Sequence, residues 1–500
     1  ITSIKSINRI SFQKIFEKTN KTEELLNNDP SGIFPKQTED TKELYRNKIK
    51  KLSNKTKISE IYITEEILKL ANRYVHTNNK SELRKAHVGY YLIDEGIYEL
   101  KEKILEKKVK KKSVKKASNL YIFFACVLPL TLSILIVEKI KVSMILKIII
   151  FILLYTPLYE ITIKTINYII LKIKKSVKLP KINFEDGIDE EHKTMVVIPT
   201  ILDSEEKVNE ILKKIEIYSL ANDDKNLYFT ILGDCTTSEK EVEKNDREVI
   251  ESGEKGVYEL NQKYKTKEKF NFVYRKRRWN EKEEKYLGWE RKRGLLIQFN
   301  DLLLEKEKGD FISNTLENFN EKIKYIITLD SDTNLILDTA QKMVGAMAHI
   351  LNKPVIEGKI VTKGYSIMQP RIGITLEDSQ KTMFTKIFSS NPGIDFYTNA
   401  ISDIYQDCFG EGIFTGKGIY DLEIYQKLIK NELPENRILS HDLLEGNYLR
   451  CGLLTDVVLL DSFPSQYLSY LERENRWIRG DWQIASWMEK TINKKENPIN

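Results

Sequence analysis

Apolar residues change their spacing along the chain, and each change predicts a different kind of element. Up to about Lys116 they recur at helical intervals, as in Ile63, Ile67, Leu68, Leu70 and Ala71, interrupted by a loop around Asp29-Pro-Ser-Gly32. That pattern predicts a mostly helical, soluble region built for packing. The segment His87-Val-Gly-Tyr-Tyr-Leu-Ile-Asp94 sets a histidine among aromatics, where a satisfied structural role is a simpler reading than a ligand. Residues 120–137 then form an apolar run long enough to cross a bilayer core. After the polar break Glu138-Lys-Ile-Lys-Val-Ser143, a second apolar stretch runs from Met144 to about Tyr159 and continues as a mixed segment to Ile173. Lys147 and Glu160 within it fit a span lying partly in the interface. Beyond Thr194, β-branched runs alternate with amphipathic helices. Met195-Val-Val-Ile-Pro199, Leu227-Tyr-Phe-Thr-Ile-Leu232, Asn271-Phe-Val-Tyr274, Tyr325-Ile-Ile-Thr-Leu329 and Ser366-Ile-Met-Gln369 read as strands. Val208, Ile211, Leu212 and Ile215 share one helix face behind the capping pattern Asp203-x-x-Glu206. Such alternation predicts a mostly parallel sheet with helices on both faces, whose ligands bind outside the carboxyl ends of the strands.

A chain of 500 residues exceeds what one core usually holds, so two or three folding units are expected. The charge balance, 80 Lys and Arg against 73 Asp and Glu for a net +7, is too mild to require a nucleic-acid partner. Where the basic residues cluster matters more. Lys107, Lys108, Lys110, Lys111, Lys112, Lys115 and Lys116 precede the first apolar run, and Lys172, Lys174 and Lys175 follow the second. Lysines on both outer flanks predict a membrane hairpin with its two long ends in the cytoplasm, a buried core hairpin being the alternative. Cys126, Cys235, Cys408 and Cys451 are far apart and form no C-x-x-C pair, which indicates neither a zinc site nor a disulfide framework and fits a reduced, cytosol-facing protein. No cleavable signal peptide is visible. The chain begins with Ile1 and ends in a polar run, as a fragment of a longer protein would. The expected organisation is a helical cytosolic region over 1–117, a transmembrane hairpin over 118–176, an α/β domain over 177–490 and a polar end over 491–500.

Carboxylates gather at the predicted strand ends. Tyr325-Ile-Ile-Thr-Leu leads into Asp330-Ser-Asp332, and an Asp-x-Asp at the mouth of a sheet offers hard oxygen ligands for Mg2+ or Mn2+ across a diphosphate. Helix capping is the ordinary use of such an Asp, but Asp338 is already available to cap the helical run 339–351. Asp234 follows Gly233 at the end of the second strand and suits hydrogen bonds from a nucleobase or ribose, or a plain turn. Arg275-Lys-Arg-Arg-Trp-Asn280 and Trp289-Glu-Arg-Lys-Arg-Gly294, with Asn300 beyond, place a cationic group that includes Lys292 shortly before the Asp-x-Asp. It suits a diphosphate, a solvated basic face or anionic lipid. Ser440-His-Asp442-Leu-Leu-Glu445 supplies a carboxylate beside a histidine, so Asp442 is the candidate general base for a sugar hydroxyl, with helix capping as its other reading. Arg473-Glu-Asn-Arg476-Trp-Ile-Arg479-Gly-Asp481-Trp482 joins guanidinium forks to indoles, as a diphosphate clamp and acceptor platform does, or as an interfacial amphipathic helix does.

In this order, Asp234, Asp330-Ser-Asp332, His441-Asp442 and Arg473-x-x-Arg476-Trp477 resemble the D, D-x-D, T-E-D and Q-x-x-R-W signature of membrane-embedded, processive glycosyltransferases of the cellulose synthase type. Longer stretches resemble the glycosyltransferase domain of cyclic β-1,2-glucan synthases. They are Trp289-Glu-Arg-Lys-Arg-Gly294, Thr328-Leu-Asp-Ser-Asp-Thr333, Gly393-Ile-Asp395, Phe409-Gly-Glu-Gly412, Phe414-Thr-Gly-Lys-Gly-Ile-Tyr-Asp421, Pro434-Glu-Asn-Arg-Ile-Leu-Ser-His-Asp-Leu-Leu-Glu-Gly446 and Arg476-Trp-Ile-Arg-Gly-Asp-Trp-Gln483. The likeness covers about residues 194–487, and the hairpin and the His87 segment fit the same family upstream. It implies a GT-A-type, Rossmann-like fold, UDP-glucose as donor, inversion at the anomeric carbon, and growth of a β-1,2-glucan on the cytosolic face of a bacterial inner membrane crossed more than once. It puts uridine recognition on Asp234, diphosphate and Mg2+ or Mn2+ on Asp330 and Asp332, base catalysis on Asp442, and donor clamping on Arg476 and Trp477; Lys292 and Arg473 are further candidates for holding the nucleotide sugar. Arg473 stands where cellulose synthases have Gln, and His441 where they have Glu, which alters the acceptor and diphosphate contacts. Family members also carry further membrane helices and a C-terminal phosphorylase-like domain for trimming and ring closure, so this stretch is expected to elongate without cyclising. A synthase of another linear polysaccharide and an inactive membrane glucan-binding scaffold are the competing expectations.

Overall fold

The computed structural model describes residues 20–77, 82–109, 114–174, 176–389 and 404–485, the side chains of 114–117 excepted. The Gly393-Ile-Asp395 motif, Lys110, Lys111, Lys112, Lys175 and the polar end 491–500 lie outside the described residues.

Among the described residues, twelve strands follow the helical region: β1 (Thr194–Ile201), β2 (Leu227–Asp234), β3 (Phe270–Arg275), β4 (Arg278–Asn280), β5 (Lys285–Leu287), β6 (Phe311–Asn314), β7 (Tyr325–Thr328), β8 (Val355–Glu357), β9 (Ile360–Lys363), β10 (Ile367–Ile374), β11 (Gly418–Asp421) and β12 (Cys451–Asp461). Eight of them form one sheet in the order β12-β10-β11-β7-β1-β2-β3-β6, while β4 with β5 and β8 with β9 make small hairpins. All neighbours in the large sheet run the same way except β11 and β6, which lie antiparallel to the rest. Alternation along β1 explains the two layers. Val196 and Ile198 face a core with Val208, Ile211 and Ile215 of the helix Glu205–Ala221 and with Met343 and Val344 of the helix Thr339–Ala348. Met195 and Val197 face the other core, with Leu295 and Phe299 of the helix Arg291–Glu305 and Leu444 of the helix Asp442–Leu449. A mostly parallel α/β sheet of the GT-A type, covered on both faces, is therefore the observed fold, as the periodicity and the resemblance predict.

The chain builds outward from β1 to β2 and β3, then returns to place β7 on the other side of β1. The order reverses there, so the crevice at the carboxyl ends of β1 and β7 is the switch point at which such sheets bind ligands.

Two capping expectations need correction. Asp338 precedes the helix Thr339–Ala348 with φ of 54° and makes no side-chain cap; Ala340 N donates instead to Asn222 Oδ1 at 3.0 Å, so the cap comes from a packed neighbour. That helix also stops at Ala348, where His349 turns to extended backbone, short of the expected end at 351. Ser204, between the two expected acidic residues, caps the helix Glu205–Ala221 by accepting from Lys207 N. Its short hydroxyl occupies the N-cap position that Asp203 misses by one residue.

Two helices, Ser118–Glu138 and Met144–Ile173, are long and apolar enough to cross a membrane, and their apolar side chains are largely exposed. They meet the α/β domain through the helix Ile404–Phe409. Tyr121 packs edge-on against Phe409 at 6.0 Å, and Lys174 Nζ donates to Asp407 O at 2.6 Å. The upstream helices Glu39–Thr56 and Glu60–Asn72 build a third core around Tyr45, Ile49, Ile63 and Ile67. His87 is fully buried beneath it, 2.7 Å from Asp29 and 2.9 Å from the Tyr45 hydroxyl, which is the structural role expected of it. Gln37 Nε2 extends the network to His349 at 2.7 Å, and so joins the helical region to the far end of a helix that backs the sheet.

Candidate active site

β7 ends at Thr328, and Leu329 N donates to Val197 O at 3.0 Å, so the chain leaves the sheet with Asp330 just past its carboxyl edge. Lys292, in the first turn of Arg291–Glu305, donates from Nζ to Asp330 Oδ1 at 2.5 Å and to Gly416 O at 2.8 Å. Lys417 Nζ stands 3.2 Å from the other Asp330 oxygen and also pairs with Asp461. Asp330 is thus held between two ammoniums. Burial is the largest influence on its carboxyl and pushes its pKa up, but Lys292 and Lys417 together outweigh burial and hold it below the ordinary Asp range. Asp332 is exposed, and its Oδ2 accepts from Ser462 Oγ at 3.1 Å.

Gly416 connects this pair to Asp442. Its φ of +84° is a left-handed conformation, and a Cβ built on it would fall 2.8 Å from Asp442 Oδ1, so the bare Cα is what lets the carboxylate sit there. Asp442 opens its helix at the first helical position, behind His441, and neither residue makes a side-chain cap. The capping reading of Asp442 therefore fails. Its carboxylate lies 3.6 Å from His441 Nδ1 and accepts no hydrogen bond among the described residues. His441 Nδ1 is 2.7 Å from Glu445 Oε1, and the Tyr425 hydroxyl donates to the same oxygen at 2.6 Å. Burial pushes the Asp442 carboxyl above the usual range, against the pull of His441 and Lys292. For His441 burial acts downward, but Glu445 and Asp442 outweigh it and keep the imidazole pKa raised. At Glu445 burial also acts upward, but the His441 charge and the His441 and Tyr425 hydrogen bonds outweigh it and hold the carboxyl below its ordinary range.

His441, Asp442 and Glu445 bring ligand atoms within 4.8 Å of one another, the one such trio among the described residues. Within it Glu445 is already engaged by Tyr425 and His441, and the Lys292 charge acts on Asp442. Asp330 and Asp332 carry hard oxygen donors, and Asp332 stands open to solvent, so this pair fits Mg2+ or Mn2+.

Asp234 ends β2 and is almost fully buried. Arg275 grips it with both arms, Nε to Oδ1 at 2.8 Å and Nη2 to Oδ2 at 2.7 Å, and also donates to Trp289 O at 2.8 Å and Arg291 O at 2.6 Å. The same guanidinium therefore fixes Asp234 and the turn that presents Lys292. Other members of the two basic motifs are internal struts: Arg277 pairs with Asp246 at 2.5 Å, Arg278 with Asp310 at 2.6 Å, Arg291 with Glu283 at 2.8 Å, and Arg293 with Glu290. The expectation of a collective diphosphate cradle is corrected accordingly, because these guanidiniums already have carboxylates. Lys292 is the member that reaches the Asp-x-Asp, and Asn300 is buried with its Oδ1 on the Tyr420 hydroxyl at 3.0 Å.

Arg473, Arg476 and Trp477 lie on the helix Tyr467–Ile484, whose Gly480 presses so closely on Ser440 that a Cβ there would collide with it. Positions three, four and seven residues before Gly480 share its face, so Trp477, Arg476 and Arg473 lead along the helix from the Ser440-His441-Asp442 turn. Arg473 stacks over Trp477 at 4.8 Å and Phe463 at 5.5 Å, while Arg476 and Trp477 are exposed. No hydrogen bond or ion pair joins these three to Asp330, Asp332 or Asp442 among the described residues. Lys417, Asp461, Gly416 and Tyr425 were not singled out from sequence. Gly416 and Lys417 lie within a motif quoted for the resemblance, whereas Asp461 carries no local signal.

An Asp-x-Asp at the switch point of a mostly parallel α/β sheet, with a further carboxylate reached through Gly416, is consistent with the layout of a GT-A glycosyltransferase. No family model matches the chain. A curated protein, the cyclic beta-(1,2)-glucan synthase NdvB of Rhizobium meliloti (strain 1021), is 38% identical over 350 residues, which is 68% of this chain and 12% of that protein. That identity supports placing the chain among the cyclic β-glucan synthases, as a glycosyltransferase domain, although it spans only 12% of the relative's length.

Proposed function

We propose that the domain transfers glucose from UDP-glucose to the growing end of a β-1,2-glucan, with inversion at the anomeric carbon. The observation that carries this reading is the run Lys292, Asp330, Gly416, Asp442: a cation suited to a diphosphate and an unbonded carboxylate suited to a hydroxyl, on either side of one glycine. Asp442 removes the proton of the acceptor's 2-hydroxyl as that oxygen bonds to the anomeric carbon. The bond from this carbon to the diphosphate oxygen breaks, and UDP departs with the electron pair. Lys292 meets the charge that develops on the diphosphate. His441, held by Glu445, which in turn accepts from the Tyr425 hydroxyl, stands beside the Asp442 carboxylate and steadies it. Asp330 and Asp332 would hold Mg2+ or Mn2+, which when bound supplies Lewis-acid stabilisation of the leaving group. Asp234, fixed by Arg275, offers its remaining lone pairs to uridine, and Arg473, Arg476 and Trp477 close over the donor from their helix. The two apolar helices anchor the domain in a bacterial inner membrane, with the lysine-flanked ends, and hence the catalytic sheet, in the cytosol.

Detergent-solubilised protein incubated with UDP-glucose, Mg2+ and a short β-1,2-glucan primer, followed by linkage analysis, tests the proposal. New 1,2-linked glucose that disappears in Asp442→Asn is the expected outcome. Another linkage would assign a different polymer, and no transfer from any UDP-sugar would leave a scaffold.

A further inference from the structure

We propose that Lys417 is a further donor-site residue, an ammonium tethered to Asp461 that occupies the cation position at Asp330 until a diphosphate arrives and then moves onto it. This inference rests on the glycosyltransferase reading above. Lys417 lies on the loop between two glycines in unusual backbone, Gly416 at φ +84° and Gly418 at φ +150°, where a Cβ on Gly418 would strike Met368 O. Thr415 N pins the same loop by donating to Gln369 Oε1 at 2.9 Å. The ammonium bridges two carboxylates unequally: the Asp461 contact is short, and the Asp330 contact is 3.2 Å. Asp461 is the fixed end. Its Oδ1 accepts from Thr333 Oγ1 at 2.6 Å, and Asn334 N donates to the preceding Leu460 O at 2.6 Å, which straps the end of β12 to the Asp-x-Asp loop. A side chain with a firm partner on one side and a longer contact on the other can leave Asp330 without losing its counter-ion.

Charge accounting points the same way. Asp330 and Asp461 share the Lys417 ammonium, so a cation from the chain is what offsets them. A diphosphate brings negative charge to a place where Lys292 and Lys417 are the near ammoniums. Two consequences follow. Some donor affinity is independent of metal, and a divalent ion offered without nucleotide must compete with Lys417 for Asp330.

The test uses the whole detergent-solubilised chain, with UDP binding followed by calorimetry in EDTA and in Mg2+, and Mn2+ binding without nucleotide followed by electron paramagnetic resonance. In Lys417→Met, metal-free UDP affinity falls by about tenfold or more, the lower end for a charge-assisted contact, and Mn2+ affinity rises by about the same factor. Lys417→Arg keeps metal-free UDP affinity within about threefold of the parent, as a retained charge predicts. Should Lys417→Met fail to fold, Lys417→Gln decides, since it keeps a polar side chain within reach of Asp461 while removing the charge, and it shifts both affinities in the same directions. Unchanged metal-free UDP and Mn2+ affinities in the folded variant overturn the role of Lys417 and leave the domain's activity standing. A parent protein that binds neither UDP nor UDP-glucose with or without Mg2+ overturns the glycosyltransferase reading itself.

Discussion

Replacing Arg275 with Met tests whether Asp234 depends on one buried guanidinium. Arg275 is fully buried and Asp234 nearly so, and the two exchange a bidentate pair at 2.8 and 2.7 Å. Removing one partner of such a pair leaves an uncompensated charge in the interior, a loss of about 3–5 kcal/mol. Met fills much of the same volume, so little of the loss comes from a cavity. It also strands the Trp289 and Arg291 carbonyls, which now accept at 2.8 and 2.6 Å, and these carry the turn that presents Lys292. In a domain of this size about 2 °C of Tm accompanies each kcal/mol, so Arg275→Met should lower the unfolding midpoint by roughly 6–10 °C. Thermal unfolding in detergent, followed by intrinsic fluorescence, reads it directly.

Asp234→Asn and the double variant complete a thermodynamic cycle. Asn keeps the shape of Asp but removes the charge, so once Arg275 is gone it should relieve part of the damage. The expected coupling is of order 3 kcal/mol, with the double variant more stable than the sum of the singles. UDP affinity should fall in Arg275→Met as well, because both Asp234 and Lys292 lose their support. A midpoint within about 1 °C of the parent, or strictly additive singles, would refute the view that Arg275 sets the position of Asp234.

Asp442→Asn should lower kcat by about a hundredfold or more, the usual contribution of a general base, while UDP-glucose affinity stays within about threefold; equal turnover removes Asp442 from the base role. Since burial raises the Asp442 pKa above the ordinary range and the base must be ionised, kcat/KM should fall as pH drops through that raised value, at higher pH than for a solvent-exposed Asp; a pH–rate profile that is flat through that region contradicts it. Gly416→Ala should displace the Asp442 carboxylate and reduce kcat by about tenfold or more, and the strain of a side chain in left-handed backbone, about 1–2 kcal/mol, should lower Tm by roughly 2–4 °C. For Asp29, burial acts upward but the His87 hydrogen bond and charge outweigh it, so its folded pKa lies below the unfolded one. Its contribution to stability is full above the unfolded value near 4 and is lost as pH falls through the folded value, so acid titrations followed by circular dichroism should show the parent losing stability across that window and His87→Gln, without the largest lowering influences, losing less across it.

The parallel strands were legible because each is buried on both faces and reads as a continuous β-branched run: β1 and β2 are nearly all buried along their length. The antiparallel members were not. β11 is four residues, Gly-Ile-Tyr-Asp, wedged between β7 and β10 and begun by a glycine, with nothing local to distinguish it from a turn. β6 is equally short, and its burial alternates as an edge strand's does. At the site the same division holds. Asp330, Asp332 and Asp442 stand where strands end or a helix begins, and such places can be read from period and punctuation. Their partners come from 38 residues away in Lys292 to Asp330, 41 in Arg275 to Asp234 and 44 in Lys417 to Asp461. A basic residue's charge is visible in sequence, but which carboxylate it will meet is decided by the order of strands.

That distinction explains why the basic motifs were over-read as a diphosphate cradle. Clustered Arg and Lys next to acidic segments have two uses that look identical in one dimension, binding an external anion and cross-linking the chain's own carboxylates. Burial separates them. Arg275 and Arg277 are 0% and 3% exposed and each closes on an Asp, so both guanidiniums are committed inside the fold. Lys292 and Lys417 are 26% and 14% exposed and both sit on Asp330, where the proposed diphosphate would compete for them. Lysine suits that task better than arginine, because a point charge on a flexible stem can exchange one oxygen for another, while a guanidinium fork locked bidentately cannot do so without breaking two bonds at once. The division of labour in this sheet, arginines holding the frame and lysines facing the crevice, follows from that difference in chemistry.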